Sequence, residues 1–110
     1  MSDDPRNILV FGGTFDPVHR GHIAMAQAVA EARGCDRVVL IPSRQPPHKQ
    51  GALASPADRV AMLELAVAGD SRFEVDEIEL GRDGPSYAID TVVALRERHG
   101  QGVRLSWLIG

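Results

Sequence analysis

Short unbroken apolar runs alternate along the chain with apolar residues at helical spacing. Asn7-Ile-Leu-Val-Phe11 is closed by Gly12-Gly13, the pattern of a buried strand followed by a tight turn. From His22 to Arg33, Ile23, Ala26, Val29 and Ala30 recur at helical spacing, and Gly34 supplies a residue that tolerates positive φ at the helix end. Arg37-Val-Val-Leu-Ile41 is a second β-branched run, stopped by Pro42, and Ser43 to Gly51 is a proline- and glycine-rich surface loop that carries cations. Ser55-Pro56-Ala57-Asp58 has the form of a capping box with proline at the first helical position, and Val60, Leu63 and Val67 follow at helical spacing. Phe73 to Leu80 alternates apolar and acidic residues, which predicts a strand with one wet face near a sheet edge. After a loop from Gly81 to Pro85, Ser86 is expected to cap a third helix that runs to His99, with Ile89, Val92, Val93 and Arg96 on neighbouring turns. Arg104 to Ile109 is the last apolar strand.

Strands alternating with helices predict an α/β fold, a Rossmann-like, mostly parallel sheet with flanking helices and right-handed crossovers. Ligands of such sheets bind beyond the carboxyl ends of the strands. Three segments fall at that edge: Gly12 to His22, Pro42 to Gly51, and whatever follows Gly110.

The chain has 110 residues, 44% of them hydrophobic and 25% charged, which suits one ordinary domain with one core, spanning residues 1–110. Cys35 is the single cysteine and has no partner for an internal bridge, which fits a reducing compartment. No apolar run approaches the roughly 20 residues of a membrane span, and the first residues lack the form of a signal peptide, so the cytoplasm is the expected location. The net charge of −3 argues against nucleic acid or an anionic membrane as the main partner. Charge is uneven, however. Residues 1–50 carry six Lys and Arg against five Asp and Glu, with three of the four histidines, whereas residues 51–110 carry six against ten. A site for an anionic ligand is therefore expected in the first half.

The segment Gly12-Gly-Thr-Phe-Asp-Pro-Val-His-Arg-Gly-His22 holds the most chemistry. Two glycines after a strand let the backbone approach a ligand closely, and His19 and His22, three apart at the start of a helix, can face one side. Unmet N–H groups and the positive end of the helix dipole favour an anion there, so two imidazoles beside it make a phosphate cradle. Other readings of the same residues stay open. His-x-x-His could be half of a zinc site, although Cys35, His48 and His99 are scattered without recognisable spacing. Gly12-Gly13 could be a turn and nothing more, and His22 could serve as a helix cap. The glycine patterns GxGxxG and GxxxxGK[ST] are both absent.

The stretch GGTFDPVHRGH resembles the signature of the HxGH nucleotidylyltransferases. Three further stretches, Ile41-Pro-Ser-Arg-Gln-Pro-Pro-His-Lys49, Arg59-Val-Ala-Met-Leu-Glu-Leu-Ala66 and Gly84-Pro-Ser-Tyr-Ala-Ile-Asp-Thr91, occur in this order. Together they resemble the bacterial nicotinate-nucleotide adenylyltransferase family over nearly the whole chain. The resemblance implies that ATP and nicotinate mononucleotide give nicotinate adenine dinucleotide and pyrophosphate, a late step of NAD biosynthesis, with Mg²⁺ bound together with ATP. It gives His19 and His22 the role of phosphate donors that stabilise the transition state. Gly12, Gly13, Thr14 and Phe15 would line the nucleotide, Lys49 would neutralise phosphate, and Asp16 would shape the turn. Ser43, Tyr87 and Ala88 would lie at the mononucleotide.

The family commonly has threonine after the tyrosine, where this chain has Ala88; backbone amides can still bind a carboxylate, so the acid substrate stays favoured. Family members run well past this length, with a Ser-rich segment and an ATP-gripping arginine near the C-terminus, so the resemblance covers their N-terminal half to three-fifths and implies a C-terminal truncation. A nucleotide-binding fragment without turnover is the alternative of a different class. Phosphopantetheine adenylyltransferase and cytidylyltransferases share the His motif, but the PPHK and GPSY stretches argue against both. Plainer readings stand beside these roles: Arg59 and Lys49 as surface charges, Trp107 as core, Tyr87 as packing, and Asp90 and Thr91 as structural residues of a helix turn.

Overall fold

The computed structural model of the chain describes residues 6–13, 15, 18–43, 55–80 and 88–109. Among these residues lie four strands and three helices in strict alternation: β1 (Asn7–Gly13), α1 (Arg20–Arg33), β2 (Arg37–Pro42), α2 (Pro56–Val67), β3 (Phe73–Val75), α3 (Ala88–His99) and β4 (Arg104–Ile109). The strands form one sheet in the order β3-β2-β1-β4, and every pairing is parallel. The carboxyl ends of all four strands therefore share one edge.

The two apolar runs are continuous because their strands are covered on both faces. Leu9 and Phe11 of β1, with Val38 and Leu40 of β2, point into a core closed by Ala26 and Ala30 of α1 and Leu63 and Val67 of α2. Ile8 and Val10, with Val39 and Ile41, point the other way and meet Leu95 of α3. The period of two along each strand thus separates the helix layers.

The helix ends follow local chemistry. Ser55 Oγ accepts from the Asp58 N–H at 3.1 Å with Pro56 at the first helical position, the capping arrangement that the sequence predicts. Gly34 ends α1 in the left-handed region at φ 66°. Helix α1 begins at Arg20, two residues before the expected His22, with His19 as its N-cap.

Three other expectations need correction. Gly12 and Gly13 are the last residues of β1, paired in register with Ile41 and Pro42, and so belong to the strand rather than to a turn. Strand β3 stops at Val75, short of Leu80, because the Asp76 carboxylate accepts from the Ile78 N–H at 3.0 Å and Leu80 N–H bonds the Glu77 carbonyl, which diverts the backbone into a turn. On α3, Thr91 and Leu95, one turn apart, are buried, Leu95 against β1 and β2, while Val93 is 49% exposed. Trp107, expected in the core, lies on an edge strand and is 36% exposed. The edge position expected for β3 and the parallel sheet are as read from the pattern. Ser86, the expected cap of α3, lies outside the described residues, and none of the described helices is long and apolar enough to cross a membrane.

Candidate functional site

The site begins where β1 meets α1. The first turn of any helix leaves N–H groups without intrahelical partners, and that of α1 contains no acidic residue to meet them. His19 and His22 stand there, at the N-cap and one turn on, with ring centroids 3.8 Å apart and planes 26° from parallel. The expectation that they share one side holds. The backbone N–H of His19 donates to His22 Nδ1 at 3.0 Å, and the His22 N–H donates back to the His19 carbonyl at the same distance. His22 is therefore a cap as well. With Nδ1 engaged as an acceptor, the proton of the neutral ring resides on Nε2, which remains a donor.

Phe15 gives His22 its environment. Its side chain is 3% exposed, packs edge-on against Phe11 at 5.2 Å, and meets the His22 ring at 5.4 Å and 87°. Burial, and next the neighbouring His19, pushes the His22 pKa below the ordinary 6.5. Phe15 is the one described non-glycine residue with positive φ, at 49°, a conformation costing about 1 kcal/mol or more. This strained residue lies between the strand and the two histidines, and its buried ring supports His22.

Two glycines make the arrangement possible. A Cβ on Gly13 would come within 3.3 Å of the Phe15 ring, and one on Gly21 within 3.2 Å of the His19 ring. Gly12 has open space where its Cβ would stand. Gly21, the glycine between the histidines, was not singled out from sequence; the signal available was a glycine kept in the first turn of a helix, where it costs about 1 kcal/mol against alanine.

The second wall comes from β2 and α2. Ser43 follows the last residue of β2, and its N–H donates to the Gly13 carbonyl at 2.8 Å, so Ser43 is bonded directly to the glycine end of β1. Arg59 is not a surface charge: it is 1% exposed, and its Nη1 donates to the Ser43 carbonyl at 2.7 Å. A cation just after a helix cap, on a helix with an apolar stripe, is the pattern of a solvated residue, which is why the sequence hides this one. Thr91, read as structural, is fully buried and donates to Glu79 Oε2 at 3.0 Å. The structure thus brings together Gly12, Gly13, Phe15, His19, His22 and Ser43 around the carboxyl edge of β1 and β2. Ala88 is the first residue of α3. Thr14, Asp16, Lys49 and Tyr87 lie outside the described residues.

Residues 10–110 match the family model described as Cytidylyltransferase-like. Curated relatives from several bacteria carry the name "Probable nicotinate-nucleotide adenylyltransferase". The one from Symbiobacterium thermophilum is 52% identical over 84% of this chain and 45% of its own length. The one from Neisseria meningitidis serogroup C is 47% identical over 96% of this chain and 53% of its own length. The chain spans about half the length of the curated relatives it matches. Among solved structures, a Plasmodium falciparum nicotinic acid mononucleotide adenylyltransferase complexed with NaAD superposes with a TM-score of 0.73, covering 96% of this chain and 51% of the other at 17% identity, a likeness of fold. Since the family match begins within β1 and takes in every element that follows, the chain belongs to the cytidylyltransferase-like family.

Proposed function

We propose that the chain works as a nicotinate-nucleotide adenylyltransferase, transferring AMP from ATP to nicotinate mononucleotide to give nicotinate adenine dinucleotide and pyrophosphate. One observation carries the reading. Two imidazoles stack 3.8 Å apart on the N-terminus of α1, and one of them has Nδ1 tied to the backbone, so that its Nε2–H is the remaining donor. The names of the relatives support this reaction within that chemistry.

A phosphate oxygen of the mononucleotide attacks the α-phosphorus of ATP; the new P–O bond forms as the bond to the β,γ-diphosphate breaks, and pyrophosphate leaves with the electron pair. The protein supplies position and hydrogen-bond donors for the charge that builds on the phosphoryl oxygens. In this scheme His22 donates through Nε2, and His19, exposed beside it, donates to the same triphosphate. Gly12, Gly13, Thr14 and the Phe15 backbone line the nucleotide, and Lys49 neutralises phosphate. Ser43, Tyr87 and Ala88 lie along the mononucleotide. Residues 1–110 act as one nucleotidylyltransferase domain, the N-terminal portion of the family's longer form. Mg²⁺ supplies charge neutralisation when it arrives on ATP. Among the described residues no three His, Cys, Asp or Glu side chains gather to hold a metal, so these residues do not fit a resident ion, and every step assigned here uses the chain's own groups.

The test is pyrophosphate release by this chain with ATP, Mg²⁺ and either nicotinate or nicotinamide mononucleotide, with phosphopantetheine as a control acceptor. Release with the acid mononucleotide alone or in preference is the expected result. Binding of ATP without release would reduce the chain to a nucleotide-binding unit. Preference for phosphopantetheine would move it to another branch of the family.

A further inference from the structure

Arg59 is among the largest fully buried side chains in the protein, and a buried guanidinium is costly unless hydrogen bonds compensate it. A methionine would fill similar volume without that cost, so the group's value lies in what it holds. It holds Ser43: Arg59 Nη1 donates to the Ser43 carbonyl at 2.7 Å while the Ser43 N–H donates to the Gly13 carbonyl at 2.8 Å. The two peptide planes that meet at Ser43 are thus tied in opposite directions, one to the central strand and one to α2. The helix that carries Arg59 is itself anchored, because Ser55 caps its start and Leu63 and Val67 lie in the core.

We propose that Arg59 is a positioning residue for the mononucleotide side of the site. It sets the orientation of the Ser43 peptide at the point where the chain leaves β2 for the Pro46-Pro47-His48-Lys49 stretch. This role rests on the functional reading above, in which Ser43 lies along the mononucleotide. Arg59 is assigned no substrate contact; it acts through Ser43, whose peptide directions follow from the two bonds. Displacements on the order of 1 Å at such a position cost large factors in binding and rate. ATP, held at the α1 end by His19 and His22, is expected to be nearly indifferent to the change.

The experiment is calorimetric titration of this chain with nicotinate mononucleotide and, separately, with ATP, for the wild type, Arg59→Met and Arg59→Lys. Arg59→Met is expected to weaken mononucleotide binding about tenfold while ATP affinity stays within about twofold. Arg59→Lys, which retains a charged donor without the planar fork, is expected to lose about threefold, and it decides the matter if the methionine variant does not fold. A purely structural role would lower both affinities together along with the melting temperature, and that result would overturn the proposal. If the wild type binds both ligands and both folded variants bind the mononucleotide as tightly as it does, only the role of Arg59 fails. If the wild type binds neither ligand, the functional reading fails and takes this role with it.

Discussion

His22 Nδ1 accepts the backbone N–H of His19 at 3.0 Å, so one histidine of the pair fixes both the start of α1 and the protonation pattern of its own ring. Capping and the proposed phosphate binding, which compete as explanations of this residue in the sequence, would use different nitrogens. The cap leaves Nε2 as donor, and the cradle needs a donor. The two roles support each other.

The burial that fixes this ring also sets its titration. Desolvation, then His19, holds the folded pKa of His22 below the ordinary value of 6.5. Between the two values the unfolded chain binds more protons than the folded one. The contribution of this ring to stability is therefore complete above about pH 6.5 and is lost as pH falls through the lowered folded value. Proton NMR titration should find His22 below 6.5. Phe15→Ala should raise it most, His19→Ala less, and added pyrophosphate should raise it too, because an anion favours the charged ring. A wild-type value at or above 6.5 would contradict the packing of His22 against Phe15.

Removing either imidazole should cut pyrophosphate release by about a hundredfold to a thousandfold, the range for losing one preorganised donor to a developing oxyanion. The two variants should differ in stability. His22→Ala also deletes the acceptor for the His19 N–H and should cost about 1 kcal/mol of folding free energy, whereas His19→Ala keeps the capping bond and should melt near the wild type. Full-rate turnover in the double variant would reject the assigned roles.

Gly21→Ala separates helix propensity from function. Alanine in place of glycine should stabilise α1 by up to about 1 kcal/mol, yet its Cβ would stand 3.2 Å from the His19 ring and force the imidazole to move. We expect an unchanged or higher melting temperature with ATP affinity lowered about fivefold to tenfold, a pair of readings obtainable from one preparation by calorimetry.

Ala88→Thr would add the hydroxyl that the family resemblance implies at this position. The acid mononucleotide carries a carboxylate where the amide form does not, and one added donor should raise the ratio of acid to amide turnover by about fivefold to twentyfold. Parallel assays of the two acceptors would measure it, and a ratio equal to that of the wild type would show that backbone groups alone read the carboxylate.

Most of the framework was legible in the linear order of residues because it depends on local rules. Ile8 to Phe11 and Val38 to Ile41 are apolar at every position, which only a strand covered on both faces requires, and Ser55-Pro56 announces a helix start by itself. Where a local competitor was hidden inside a pattern, the pattern misled. The alternation of Phe73 to Leu80 continues past Val75, but Asp76 offers its carboxylate to a nearby N–H and ends the strand.

The sequence by itself determined the alternating strands and helices and the place of the glycine-histidine segment at the carboxyl edge of the sheet. These are properties of residues near one another in the chain. Only the tertiary structure decided that Phe15 turns inward beneath His22, that Thr91 and Leu95 rather than Val93 are buried, and that Arg59 is buried with its guanidinium on the Ser43 carbonyl. Each of these depends on which distant segments share a face of the sheet. A guanidinium looks the same in sequence whether it reaches water or a carbonyl 16 residues away. The packing of α2 over β2, and the register that sets Gly13 beside Pro42, select between those fates.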